Sequence, residues 1–77
     1  MKEKILHLLQ ESCPDIDFLT AKNLVDDGEL DSLSTAEIIS ALSMELGIEV
    51  PYEELTAENF NSLDAITALA EKYAEIG

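Results

Sequence analysis

The chain of 77 residues sets 17 acidic side chains against 4 basic ones, a formal net charge of −13, with 47% of its residues apolar. A domain of this size buries only about 60% of the surface that its unfolded chain exposes, which leaves little room for an enclosed catalytic cleft. The charge repels the phosphate backbone of nucleic acid and anionic membrane surfaces, so the expected partners are proteins with basic patches, not nucleic acid or lipid.

The apolar content sets the chain apart from sequences that stay disordered, and one folded domain over residues 1–77 is expected. From Lys2 to Gln10, Ile5, Leu6, Leu8 and Leu9 lie among charged residues at helical spacing, and Pro14 marks the end of this first helix. The opening "MKEKILHLLQES" lacks a signal-peptide pattern because Glu3, His7 and Gln10 interrupt its apolar stretch. No run reaches the length of a membrane span, and a cytoplasmic monomer is the expectation. Cys13 has no second cysteine with which to form an internal disulfide, which fits a reducing compartment.

Cys13 to Leu30 has no sustained period and reads as a long ordered loop with room for one short turn of helix. Ile16, Phe18, Leu19, Leu24 and Val25 are expected to pin it to the core. A second helix is expected from Asp31 or Ser32 to Leu46, stopped by Gly47. Two caps compete for its start. Ser34 would pair with Glu37 in a capping box, with Leu33 stapled on Ile38; Asp31 as the cap would put Ser32 at the first helical position. The spacing of Leu33, Ala36, Ile39, Leu42 and Leu46 predicts the buried face, leaving Thr35, Glu37, Ser40, Ser43 and Met44 elsewhere.

"GIEVPYEE" reads as a connection, because Pro51 forces Val50 toward an extended conformation. A short helical turn over "AENF" follows, with the Thr56 hydroxyl as its expected cap. The last helix begins near Asn61 or Ser62 and buries Leu63, Ile66, Leu69 or Ala70, and Tyr73. Tyr52, Phe60 and Tyr73 are expected to cover the core. With no strand alternation, the predicted fold is all-α: a small four-helix bundle of three main helices and one short one.

Most chemical constellations fail. His7 and Cys13 do not supply a paired zinc-ligand set, and His7 reads as a helix surface residue. In "NLVDDGELDSLS", Val25 stands where an EF-hand loop needs an oxygen ligand and Ser34 where it needs its closing Glu, so no metal site is expected. No base accompanies Ser32 in sequence to make it a catalytic nucleophile, and the expected protein is not an enzyme.

"GELDSLSTAEIISALSMELGIEVP" followed by "LTAENFNSLDAITAL" resembles an acyl carrier protein, the small acidic helical carrier modified with 4′-phosphopantetheine. The similarity runs from Ile5 to Tyr73 and lies in element order and spacing as well as in Asp31-Ser32-Leu33. The resemblance implies that Ser32 takes the phosphopantetheine arm from coenzyme A through a phosphopantetheinyl transferase. The arm then carries acyl or aminoacyl groups as thioesters between a loading enzyme and a downstream synthase or transferase, in fatty-acid, polyketide or peptide-type biosynthesis.

Asp31, Leu33, Thr35, Glu37, Met44 and Glu45 are the expected partner-recognition residues, with Met44 also readable as a packing residue. Carriers of fatty acids commonly read Gly-Ala-Asp-Ser-Leu-Asp, whereas here Leu30 precedes the aspartate and Ser34 follows the leucine. The Leu-Asp-Ser form also resembles discrete aminoacyl and D-alanyl carriers. A second class of function remains beside it: a carrier-like interaction module in which Ser32 is never modified.

Overall fold

The structure, a computed structural model, describes residues 2–76. Its elements are α1 (Lys2–Ser12), α2 (Ser32–Leu46), a 3₁₀ turn (Tyr52–Glu54), α3 (Ala57–Phe60) and α4 (Leu63–Ile76), with no strand among the described residues. This is the all-α arrangement of three main helices and one short one. Helix α1 packs on both α2 and α4, and α3 packs on α4. The 3₁₀ turn lies inside the connection that Pro51 opens.

One cluster forms the core, with Ile5 and Leu9 of α1, Ile38 and Leu42 of α2, Phe60 of α3 and Ile66 of α4 fully enclosed. Phe18, Leu24 and Leu30 seal it from the long connection between α1 and α2, which contains turns but no helix. Leu19 departs from expectation: it is exposed, as is Tyr52, so neither covers the core, while Tyr73 is half-buried.

The largest correction concerns α2. Its buried residues are Thr35, Ile38, Ile39 and Leu42, an i, i+3, i+4, i+7 set, whereas Leu33 is 69% exposed. Five residues at ~100° each place Leu33 roughly 140° around the axis from Ile38, so it cannot share the face that Ile38 and Ile39 define. Helix α2 closes as expected: Gly47 adopts φ 67°, its N–H reaches the Ser43 carbonyl, and the N–H of buried Ile48 reaches that of Leu42.

Helix α4 starts on Ser62, whose Oγ accepts from the Ala65 N–H at 3.1 Å. Thr56 precedes α3 but its hydroxyl makes no capping bond; its carbonyl accepts from the Asn59 N–H instead. Within α4, Thr67 is buried and its Oγ1 has no hydrogen-bond partner among the described residues. A desolvated hydroxyl without a partner costs about 1–3 kcal/mol, so Thr67→Val, which keeps the shape and removes the polar atom, is expected to raise the urea midpoint. A lowered midpoint would contradict this reading of the site.

Candidate functional site

The entry to α2 is built by its cap. Asp31 has extended backbone, φ −98° and ψ −176°, and its Oδ1 accepts from the Ser34 N–H at 2.8 Å. The alternative capping box on Ser34 and Glu37 is therefore not the one used, and exposed Leu33 makes no staple on Ile38. The Ser34 hydrogen bonds, that from its backbone N–H first, hold the Asp31 carboxyl below its ordinary value of 3.8.

Ser32 thus occupies the first helical position and is exposed. Its carbonyl accepts from Thr35 Oγ1 at 3.0 Å, while its hydroxyl has no partner among the described residues. A serine there faces outward at the positive end of a helix, beside backbone N–H groups that no upstream carbonyl reaches. Thr35 corrects an expectation: it is buried, its hydroxyl bonded to the carbonyls of Asp31 and Ser32, so its side chain stiffens the first turn and forms no part of an exposed recognition face. Glu37, Met44 and Glu45 are exposed, and Met44 reaches 85%.

Beside Ser32 lies a groove of about 370 Å³. Val25, Gly28 and Leu30 of the preceding loop line it with Ser32 and Thr35, opposite Leu55, Thr56 and Ala57. A second, larger groove of about 530 Å³ runs between α2 and the segment after it, where Met44 and Tyr52 flank Ile39, Val50 and Pro51. The residues present suit a phosphopantetheine group chemically: an exposed hydroxyl without a partner among the described residues, a helix terminus that favours a phosphodiester anion, and a partly apolar groove at its side. Burial, and after it the carboxylates of Glu37 and Asp31, push the pKa of the Cys13 thiol up from 9.0, which disfavours its reactive thiolate.

Two polar ties missed by local sequence reasoning join segments distant in the chain, and the first holds a wall of the groove beside Ser32. Asn61 binds the loop before Ser32: its Oδ1 accepts from the N–H groups of Val25 and Asp26, at 2.9 and 3.1 Å. The second tie joins the 3₁₀ turn to α4: Glu54 Oε2 accepts from the Tyr73 hydroxyl at 2.8 Å and from Lys72 Nζ at 3.3 Å. The Tyr73 bond, aided by Lys72, holds the Glu54 carboxyl below 4.5, and the same bond holds the Tyr73 hydroxyl above 10.0.

The support from this tie has two pH limits. The contribution of Glu54 is present above its unfolded pKa and is lost as pH falls through the depressed folded value. That of Tyr73 is present below its unfolded pKa and is lost as pH rises through the raised folded value. Tyr73→Phe is therefore expected to melt below the parent near neutral pH, with the gap closing at both acid and strongly alkaline pH. A gap independent of pH would contradict the tie.

The comparisons with known proteins agree with this geometry. Residues 2–70 match the family described as phosphopantetheine attachment site. D-alanyl carrier proteins of Streptococcus suis, strains 05ZYH33 and 98HAH33, are each 34% identical to the chain over 67 residues, covering 86% of it and 85% of their own length. An outward serine at the start of α2, a groove beside it, and a family match over nearly the whole chain lead to one conclusion: the chain belongs to the phosphopantetheine-attachment family and is a carrier protein that bears 4′-phosphopantetheine.

Proposed function

We propose that Ser32 is the residue that holds the 4′-phosphopantetheine arm and that the cargo is a small aminoacyl group. The observation that carries the first part is the position of Ser32: first in α2, exposed, with its hydroxyl unpartnered among the described residues. The similarity to D-alanyl carrier proteins of Streptococcus suis supports the second part. In the attachment step the Ser32 Oγ–P bond forms as the pyrophosphate bond of coenzyme A breaks. The nucleotide half leaves, and the hydroxyl proton passes to a base of the transferase. The arm then supplies the thiol on which cargo rides as a thioester, so the chain itself needs no catalytic residues.

Two kinds of partner enzyme follow: a phosphopantetheinyl transferase, and an adenylate-forming ligase that activates the cargo acid and loads the thiol. Exposed Leu33 and Met44 offer apolar contacts to them, and the carboxylates of Asp31, Glu37 and Glu45 steer basic surfaces toward α2. The expected setting is the cytoplasm, with the chain monomeric; no helix among the described residues is long and apolar enough to cross a membrane.

The test is sequential loading of the full chain. Coenzyme A, magnesium and a broad-specificity transferase should add one pantetheine adduct to the intact mass. ATP, D-alanine and a D-alanine-activating ligase should then add one aminoacyl mass that hydroxylamine removes. Loading by fatty acyl donors alone would overturn the cargo assignment and leave the carrier reading standing.

A further inference from the structure

We propose that Asn61, at the junction of α3 and α4, is a positioning residue for the modification of Ser32, an inference that rests on the reading of Ser32 as the attachment site. Three consecutive backbone N–H groups of the loop before α2 converge on Asn61. That of Leu24 reaches the Asn61 carbonyl at 2.9 Å, and those of Val25 and Asp26 reach its Oδ1. Asn61 Nδ2 in turn donates to Asp26 Oδ2 at 3.1 Å, so every polar atom of the side chain is engaged with one short segment 35 or 36 residues away.

That segment leads directly to the modified position. The Leu30 N–H closes on the Leu24 carbonyl at 2.9 Å, the Gly28 N–H reaches the Val25 carbonyl at 3.1 Å, and Gly28 takes the positive φ of 81° that the tight return requires. Residues 24–30 are therefore a closed loop whose base is fastened to Asn61 and whose exit is Asp31, the cap of α2. Buried Leu24 and Leu30 seat the two ends of the loop. Val25, Gly28 and Leu30 also form one wall of the groove beside Ser32. With the tie released, the loop samples geometries in which Asp31 and Ser32 are not presented together.

A transferase that binds only the presenting geometry sees an apparent affinity reduced by the fraction of molecules that hold it, while turnover of the bound form is unaffected. The signature of positioning is thus a raised KM for the carrier at constant kcat. Truncation to Ala leaves two backbone donors without their side-chain partner and risks the fold, so the informative variant is Asn61→Asp. It keeps an acceptor for the Val25 and Asp26 N–H groups and sets a carboxylate against that of Asp26. Asp26→Asn reverses this: in the double variant an amide at position 26 donates to the carboxylate at 61, and the bond returns with its direction exchanged.

The experiment measures steady-state pantetheinylation of the full chain by intact mass, with the carrier as the varied substrate, for the parent, N61D, D26N and N61D/D26N, each shown to be helical by circular dichroism. The expected result is a KM raised about tenfold in N61D with kcat unchanged, a near-parental D26N, and a KM returned to within about twofold of parental in the double variant. Faster amide exchange at residues 24–26 of N61D should accompany the change. A parental KM in N61D, or a loss in kcat that the exchanged pair does not restore, overturns the positioning role while Ser32 remains the site. No adduct on the parent chain, or one that survives Ser32→Ala, overturns the attachment reading and this inference with it.

Discussion

Phe60→Ala is expected to remove most of the stability of the chain. Phe60 is fully enclosed and is the buried residue of α3, a helix of only four residues that cannot persist by its own hydrogen bonds. Deleting a buried Phe side chain costs about 3–5 kcal/mol in lost transfer energy and residual cavity. At about 0.05–0.15 kcal/mol per residue, a chain of this length has roughly 4–12 kcal/mol in total, and self-repulsion at a net charge of −13 favours the low end. The expected outcome is a melting temperature lower by roughly 12 °C or more, or no cooperative transition at all. Loss of α3 also frees the Leu55–Ala57 wall of the groove beside Ser32, so a surviving folded fraction should show rapid amide exchange there first. A melt within about 3 °C of the parent would contradict the assignment of Phe60 to the core.

Ser32→Ala is expected to do the opposite, abolishing modification while leaving the fold intact. The hydroxyl makes no hydrogen bond among the described residues, and the cap of α2 is made by Asp31 and Ser34, whose contact the substitution does not touch. Alanine at the first position of an exposed helix turn has slightly better helix propensity than serine, so the melting temperature should stay within a few degrees or rise. Pantetheinylation should fall below detection, because no other oxygen nucleophile stands at that position. Ser34 lies two residues on, its N–H committed to the Asp31 carboxylate. A fold lost in Ser32→Ala would mean that the hydroxyl has a structural role the geometry does not contain.

The two substitutions mark what was legible in the sequence. Element order was legible because its signals are local: Pro14 after α1, Gly47 at a positive φ after α2, Ser62 before α4. The position of Ser32 at the start of α2 was legible for the same reason, since Asp31, which caps the helix, is its neighbour. Leu33 misled because an apolar residue beside a helix start fits two faces until the cap sets the register. With Asp31 as the cap, Thr35 turned inward and Leu33 outward. The hydroxyl of Thr35 is tolerated inside because the carbonyls of Asp31 and Ser32 accept from it.

Asn61, Glu54 and Tyr73 were not legible as ties. Their partners lie 18 to 36 residues away in sequence, and no local pattern distinguishes an asparagine that holds a distant loop from one that only ends a helix. The Asn61 tie bears on the proposed site because Val25, which it holds, lines the groove at Ser32. The sequence pointed to Ser32 as the residue proposed to hold the arm; the tertiary hydrogen bonds of Asn61 explain what keeps the preceding loop in shape.

The most direct measurement is residue-level localisation of the arm by fragment mass spectrometry, after incubation of the full chain with coenzyme A, magnesium and a broad-specificity transferase. The account predicts a single pantetheine adduct whose fragments assign it to Ser32, with none on the Ser32→Ala chain. An adduct assigned to Ser34 or another serine, or no adduct beside a control carrier labelled in parallel, would contradict it.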